Sequence, residues 1–206
     1  MSDVQELRAP AAGRLKAGLA DPVFDSQKAF RAILNAMSYP GRIHSVDVAV
    51  EPPAPLDRAT ALLALTLFDF DTTIWLDAAA GSSEAPEFLR FHCGCPVTSN
   101  PAEAQFGIIA DPEAMPGLDQ FAIGEEQYPD RSTTLVLQVP SFTEGPETVW
   151  SGPGIPKRQA VRISGLPEGF WRQWALNDAL YPLGVDLIFC CGSEVIGLPR
   201  GVKVEG

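Results

Sequence analysis

Positive charge is scarce in this chain, and so are the side chains that most often do chemistry near neutral pH. Its 206 residues hold 15 lysines and arginines against 26 acids, a formal net charge of −11, with only two histidines and four cysteines. That balance excludes the broad basic face by which proteins hold nucleic acid. Long apolar runs are missing too: Ala59 to Phe68 is the most apolar stretch, well short of the ~20 residues needed to cross a bilayer. Neither a nucleic acid nor a membrane is therefore expected as a partner. The first twenty residues break up their alanines and glycines with Asp3, Glu6, Arg8, Arg14 and Lys16, unlike a secretory signal. Residues 1–23 read as a flexible leader on a cytoplasmic protein. Two cysteines are adjacent (Cys190, Cys191) and two are separated only by Gly94 (Cys93, Cys95), which is no disulfide framework for a chain able to build its own core. Glycine-rich phosphate loops are absent: there is no Gly-x-x-x-x-Gly-Lys, and no Gly-x-Gly-x-x-Gly follows a strand.

Lysines number four: Lys16 in the leader, Lys28 on a polar helix face, Lys157 in a proline-glycine loop and Lys203 near the terminus. None is placed to be desolvated in a cavity, as a Schiff-base lysine for pyridoxal phosphate must be. No cofactor is expected.

What remains is a well-mixed globular composition, 46% apolar and 20% charged, enough for a single α/β domain over residues 24–206. Phe30, Ile33, Leu34 and Met37 recur at helical spacing and predict an amphipathic helix over 26–37, started by Asp25 or Ser26 and stopped at Tyr39-Pro40-Gly41. Residues 43–50 alternate loosely as a strand. Residues 56–68 carry no charge between Arg58 and Asp69, so a helix there is apolar all round and buried. A short core strand follows within 69–77, then a helix opened by Gly81, Ser82 or Ser83 and running into Leu89-Arg90-Phe91-His92. Strands are expected at 106–110 and 133–139, with a loop over 111–130 that contains a helical turn near 118–121. Weaker strands at 148–151 and 159–163 suit a hairpin on the sheet edge. A second amphipathic helix spans 168–180, with Phe170, Trp171, Trp174 and Ala175 on its apolar side. The chain closes on a hairpin, 185–191 and 194–198, turned by Gly192-Ser193. Helices and strands thus alternate around a mixed sheet.

Chemistry, if the chain performs any, is most concentrated at Arg90-Phe91-His92-Cys93-Gly94-Cys95. Structural zinc ligands are usually spaced by two to four residues, whereas Cys93 and Cys95 are separated by one. Neighbouring Cys190 and Cys191 point to opposite faces of a strand, so only one could join them. Cysteines as small buried hydrophobes are the simpler reading, and no metal site is assigned. A thiol nucleophile needs a base; His92 is next to Cys93 in sequence, but a histidine in the last turn of a helix also complements that helix's carbonyl end. Anion binding is the most plausible small-site chemistry, with Arg90, His92, Arg131 and Arg200 at element ends where a phosphate or a partner surface could be met. No catalytic residue is assigned.

Taken in order, several stretches resemble a known family: Phe30-Arg31 with Leu34; Ala36-Met37-Ser38-Tyr39-Pro40-Gly41; Asp71-Thr72-Thr73-Ile74-Trp75-Leu76; Leu89-Arg90-Phe91-His92 with Pro96; Pro101, Ala104 and Phe106; Ser151-Gly152-Pro153-Gly154-Ile155; and Pro182-Leu183-Gly184-Val185-Asp186-Leu187-Ile188 through Pro199-Arg200. The pattern is similar to the PhnH family of the bacterial carbon–phosphorus lyase machinery. The resemblance implies a mixed sheet flanked by helices, similar to a reduced pyridoxal-phosphate-dependent transferase fold without the cofactor. It implies a homodimer that joins other carbon–phosphorus lyase subunits, including a nucleosidase-like and a radical-SAM subunit. It also implies a supporting role in attaching phosphonate to ribose C1 of ATP with release of adenine, the synthesis of ribose 1-phosphonate 5-triphosphate. The family supplies no catalytic residue. Two alternatives stay open on the residues alone: a stand-alone thiol- or metal-dependent enzyme using His92 and Cys93, and a protein that binds a phosphorylated metabolite.

Overall fold

The computed structural model describes residues 15–206; residues 1–14 of the expected leader lie outside them. Helix α1 (Pro22–Ser38) begins earlier than the apolar spacing suggests, because Asp21 rather than Asp25 or Ser26 is its cap. The Asp21 carboxylate accepts from the Phe24 amide at 3.2 Å, and Pro22 lies in the first turn, where its missing N–H costs nothing. Its buried face is also different from the expected stripe. Ala29, Ile33 and Ala36 face inward, while Phe30 and Leu34 are 47% and 51% exposed. Alanine faces inward at position 36 because the backbones meet there: a Cβ added to Gly197 would lie 2.5 Å from the Ala36 carbonyl oxygen.

Strand β1 (His44–Ser45) is shorter than the expected 43–50 strand. Val46, Val48 and Val50 are buried in alternation as expected, yet residues 46–50 form no strand: the Val46 N–H donates to the Ser193 carbonyl and the Val48 N–H turns back to the Val46 carbonyl. Helix α2 (Arg58–Leu67) buries every residue from Ala59 to Ala64, as its lack of charge required. Strand β2 (Ile74–Leu76) leads directly into a short helix, α3 (Ala78–Gly81), capped by Asp77. Gly81 therefore ends a helix rather than opening one, and α4 (Ala85–Cys93) starts later, with Pro86 in its first turn. Strands β3 (Val97–Thr98) and β4 (Phe106–Ile109) follow.

The expected loop over 111–130 holds more structure than its composition suggested. Besides 3-10 turns at Pro112–Ala114 and Leu118–Gln120, it contains strand β5 (Ile123–Glu125), which pairs with β6 (Tyr128–Ser132). Most of β6 is exposed, so no apolar alternation announces it. After β7 (Thr134–Gln138) come β8 (Glu147–Gly152) and β9 (Ile155–Arg162), the expected hairpin, but not on the edge of the main sheet. Helix α5 (Phe170–Asp178), β10 (Asp186–Cys191), β11 (Glu194–Leu198) and β12 (Lys203–Glu205) complete the chain. The hairpin joins β12 in a separate sheet of order β12-β8-β9, because fully buried Trp150 turns toward Trp171 and Phe189 and so lays the hairpin across the main sheet's face. On α5, Asn177 is buried, and Ala175, expected on the apolar side, is exposed. Asn177 is tolerated inside because it donates to the Val185 carbonyl and accepts from the Val185 amide.

The main sheet has seven strands in the order β1-β11-β10-β7-β4-β2-β3. Strands β10, β7, β4, β2 and β3 run parallel, and β11 is antiparallel to both its neighbours. Alternate residues feed two cores. Val136, Ile188, Cys190 and Val195 meet α1, α2 and α4 on one face; Leu135, Leu137, Leu187, Phe189 and Ile196 meet α5 and the smaller sheet on the other. Fully burying a leucine such as Leu62 or Leu63 contributes roughly 1.5–3 kcal/mol, so the continuous apolar run in α2 anchors the first core.

Candidate functional site

The chemically dense stretch sits at the C-terminal end of α4. Gly94 takes φ +70 there, a left-handed cap that favours glycine, and its N–H donates to the Arg90 carbonyl. Arg90 is exposed. The His92 Nε2–H donates to the Lys16 carbonyl at 2.9 Å, and its ring lies 4.6 Å from the Phe88 ring. Nδ1 faces Gly18 so closely that a Cβ there would come within 2.8 Å of it. Both imidazole nitrogens therefore face residues 16–18, and His92 holds the segment before α1 onto α4. It does not serve Cys93, whose sulfur lies 3.6 Å from the Ala64 carbonyl. Donation of its S–H to the Cys95 sulfur, together with burial, pushes the Cys93 thiol well above its ordinary range, so it stays protonated at neutral pH. The thiolate–imidazole pair that a stand-alone thiol enzyme needs is not formed at these residues.

Cys190 is buried in the first core, and burial pushes its thiol up to about 12. Cys191 lies half-buried on the opposite face, as adjacent strand residues must. Among the described residues, no three His, Cys, Asp or Glu side chains are arranged to hold a metal.

Arg131 and Arg200 sit elsewhere, on and against β6. Exposed Arg131 lies over the Tyr128 ring, 4.1 Å from its centroid, a cation–π contact. Arg200 is nearly buried. Its guanidinium pairs with Asp186, donates to the Pro129 carbonyl at 2.8 Å and donates to the Ser132 hydroxyl. The Asp186 carboxylate also accepts from the Arg200 backbone N–H at 2.8 Å. An arginine so fully engaged locks β6 against the β10–β11 pair and has little left to offer an anion. The four cations singled out by the sequence thus fall into two places: Arg90 and His92 on α4, Arg131 and Arg200 around β6.

A cavity of about 670 Å³ opens beside Arg200. Its walls come from five separated stretches: Met37 and Ser38 at the end of α1; Pro129 and Asp130 in β6; Pro153 and Gly154 in the β8–β9 turn; Tyr181, Pro182 and Asp186 before and in β10; and Pro199 and Arg200 after β11. Gly154, at φ +81, lies against the Ser38 carbonyl and the Pro40 ring, leaving no room for a side chain.

A family model described as "Bacterial phosphonate metabolism protein (PhnH)" matches residues 17–205. The chain belongs to the PhnH family. It is 42% identical over 186 residues to the alpha-D-ribose 1-methylphosphonate 5-triphosphate synthase subunit PhnH of Rhizobium meliloti (strain 1021), covering 90% of this chain and 93% of that one. It is 35% identical over 183 residues to the putative C-P lyase subunit protein HtxG of Stutzerimonas stutzeri, covering 87% and 85%. The stretches that carry the PhnH resemblance near residues 37, 153, 182–186 and 199 are the ones that wall the cavity. Sequence reasoning treated Tyr39-Pro40-Gly41 and Gly152-Pro153-Gly154 as turns and stopped there. The signal for more was that two such turns stood among family stretches with no chemistry of their own. No helix among the described residues is long and apolar enough to cross a membrane.

Proposed function

We propose that this chain is a subunit of a carbon–phosphorus lyase assembly, supporting transfer of phosphonate to ribose C1 of ATP with release of adenine. The observation that carries this reading is the family match over residues 17–205, joined to the 42% identity with a named synthase subunit along nearly the whole of both chains. The local chemistry favours a supporting role over an independent one. His92 is engaged with residues 16–18, Cys93 is held protonated, and Arg200 is neutralised by Asp186. Nucleosidase-like and radical-SAM subunits are the proposed partners, and the cytoplasm is the proposed compartment.

Within this reading we assign residues 24–206 to one domain, with a fold like a reduced pyridoxal-phosphate-dependent transferase that lacks the cofactor. In its favour are the seven-stranded, mostly parallel sheet with one antiparallel strand, and the absence of any lysine from the walls of the 670 Å³ cavity. The proposed homodimer has a natural contact in the outer stripe of α1, where Val23, Phe30 and Leu34 are 74%, 47% and 51% exposed at helical spacing. Arg90, His92, Arg131 and Arg200 remain the candidate anion or interface residues, with Arg90 and Arg131 the freer pair.

Co-purification from cells induced by phosphate starvation tests the reading. The chain is expected to elute with the other subunits. Recovery only as a free dimer under conditions where the other subunits assemble would overturn it.

A further inference from the structure

We propose that the cavity between the end of α1 and the β10–β11 hairpin receives a basic side chain, aliphatic stem included, from a loop of a partner subunit. This rests on the subunit reading and adds the surface and the partner's chemistry.

The first support is the end of α1. Pro40 has no N–H, the Gly41 N–H donates to the Gly197 carbonyl, and the Arg42 N–H donates to the Tyr39 carbonyl. The Ala36, Met37 and Ser38 carbonyls are therefore left without the backbone donors that the next turn of helix would bring. No basic residue occupies the last turn of α1, so the negative end of this 17-residue helix is uncompensated where Met37 and Ser38 reach the cavity. Arg42 does not fill the role, because its guanidinium lies over the Tyr39 ring and it lines a different recess.

Charge in the walls has the same sign. Arg200 is the only cation among the lining residues, and Asp186 neutralises it. Asp130 adds a carboxylate that is exposed and pairs with no cation among the described residues. An anionic ligand such as a phosphate ester would meet this field unfavourably; a cation would be drawn in, and the chain's net charge of −11 extends that attraction outward.

The remaining walls suit the stem of such a side chain. Pro153, Pro182 and Pro199 are rigid and apolar, and Tyr181 is 65% exposed with its ring available to a cation. A volume of about 670 Å³ admits a loop tip as well as the side chain it carries.

The test is pull-down of the full chain co-expressed with the other subunits of its assembly, followed by affinity measurement on the purified components. Asp130→Arg and Ser38→Arg place a cation at the rim, and Tyr181→Ala removes an aromatic wall. Each is expected to weaken retention of the partner by about tenfold or more, with melting temperatures near wild type because all three positions are exposed. Glu144→Ser, in the exposed turn before β8 and away from the cavity, is expected to leave retention unchanged. Wild-type retention by both arginine variants would overturn the inference while leaving the subunit reading intact. Failure of the unmodified chain to bind any subunit would end both. Calorimetric binding of ATP or methylphosphonate that Tyr181→Ala abolishes would also overturn it, by making the cavity a small-anion site.

Discussion

The end of α4 and the cavity beside Arg200 are opposites in how they are built. At α4, an arginine, a histidine and two thiols crowd into six consecutive residues, yet among the described residues only the arginine stays free, and the histidine and thiols turn to separate structural tasks. His92 grips Lys16, Gly94 closes the helix, and Cys93 faces Ala64. Around the cavity no stretch is chemically conspicuous, yet turns and strand ends more than a hundred residues apart are brought within contact of one another, with a glycine required where they touch. Density along a sequence measures what is near in the chain; a site needs what is near in space.

If that contrast is right, disturbing the cavity's frame costs far more than removing the conspicuous residues of α4. The largest effect is expected from Asp186→Ala, which leaves the Arg200 guanidinium nearly buried without its partner. A loss of about 3–5 kcal/mol in chemical denaturation is expected. A loss under about 1 kcal/mol would show that Arg200 does not lock β6. Next comes Gly154→Val, which forces a branched side chain at φ +81 into the Ser38 carbonyl and Pro40. About 2–4 kcal/mol is expected from strain and overpacking, read as a lowered melting temperature.

Smaller effects belong to α4. His92→Ala removes one hydrogen bond and a ring contact, so about 1–2 kcal/mol is expected, together with faster amide exchange near residues 16–18. Global unfolding on a larger scale would instead make the α4 end a keystone of the fold. The double variant Cys93→Ala, Cys95→Ala is expected to keep its place in the assembly. Loss of assembly with the fold intact would restore the thiols to function.

Smallest is a pH effect. Burial, with nearby Arg42, lowers the His44 pKa from 6.5, and its Nε2 is buried without a partner. The folded state thus favours the neutral ring, so this contribution to stability is present above the unfolded pKa and is lost as pH falls below it. His44→Gln is expected to flatten the stability profile between about pH 7 and pH 5; an unchanged slope would place the titration elsewhere.

Much of the fold is legible from periodicity. The uncharged run of α2, the two faces of β7 and β10, and the Gly192-Ser193 hairpin turn each follow from a local rule, because burial on all sides, on alternate sides or at a reversal leaves a pattern in consecutive residues. The missed pairing of β5 with β6 left no such pattern, since β6 is largely exposed. The buried face of α1 differs in part for another reason: Ile33 and Met37 pack on the core as their spacing predicts, but close backbone approach at Gly197 puts Ala36 inward and leaves Phe30 and Leu34 outside.

By itself, the sequence determined the class of the protein, its acidic character, its principal helices and core strands, and through their ordered stretches its kinship. All of these depend on residue type and near-neighbour spacing. Tertiary structure alone decided that the β8–β9 hairpin leaves the main sheet's edge to lie across its face, that His92 serves the chain before α1, and that Arg200 faces Asp186. It also decided that the negative end of α1 opens onto a cavity. Those outcomes depend on which distant surfaces meet, and long-range contact is set by packing the whole chain at once rather than by any window of it.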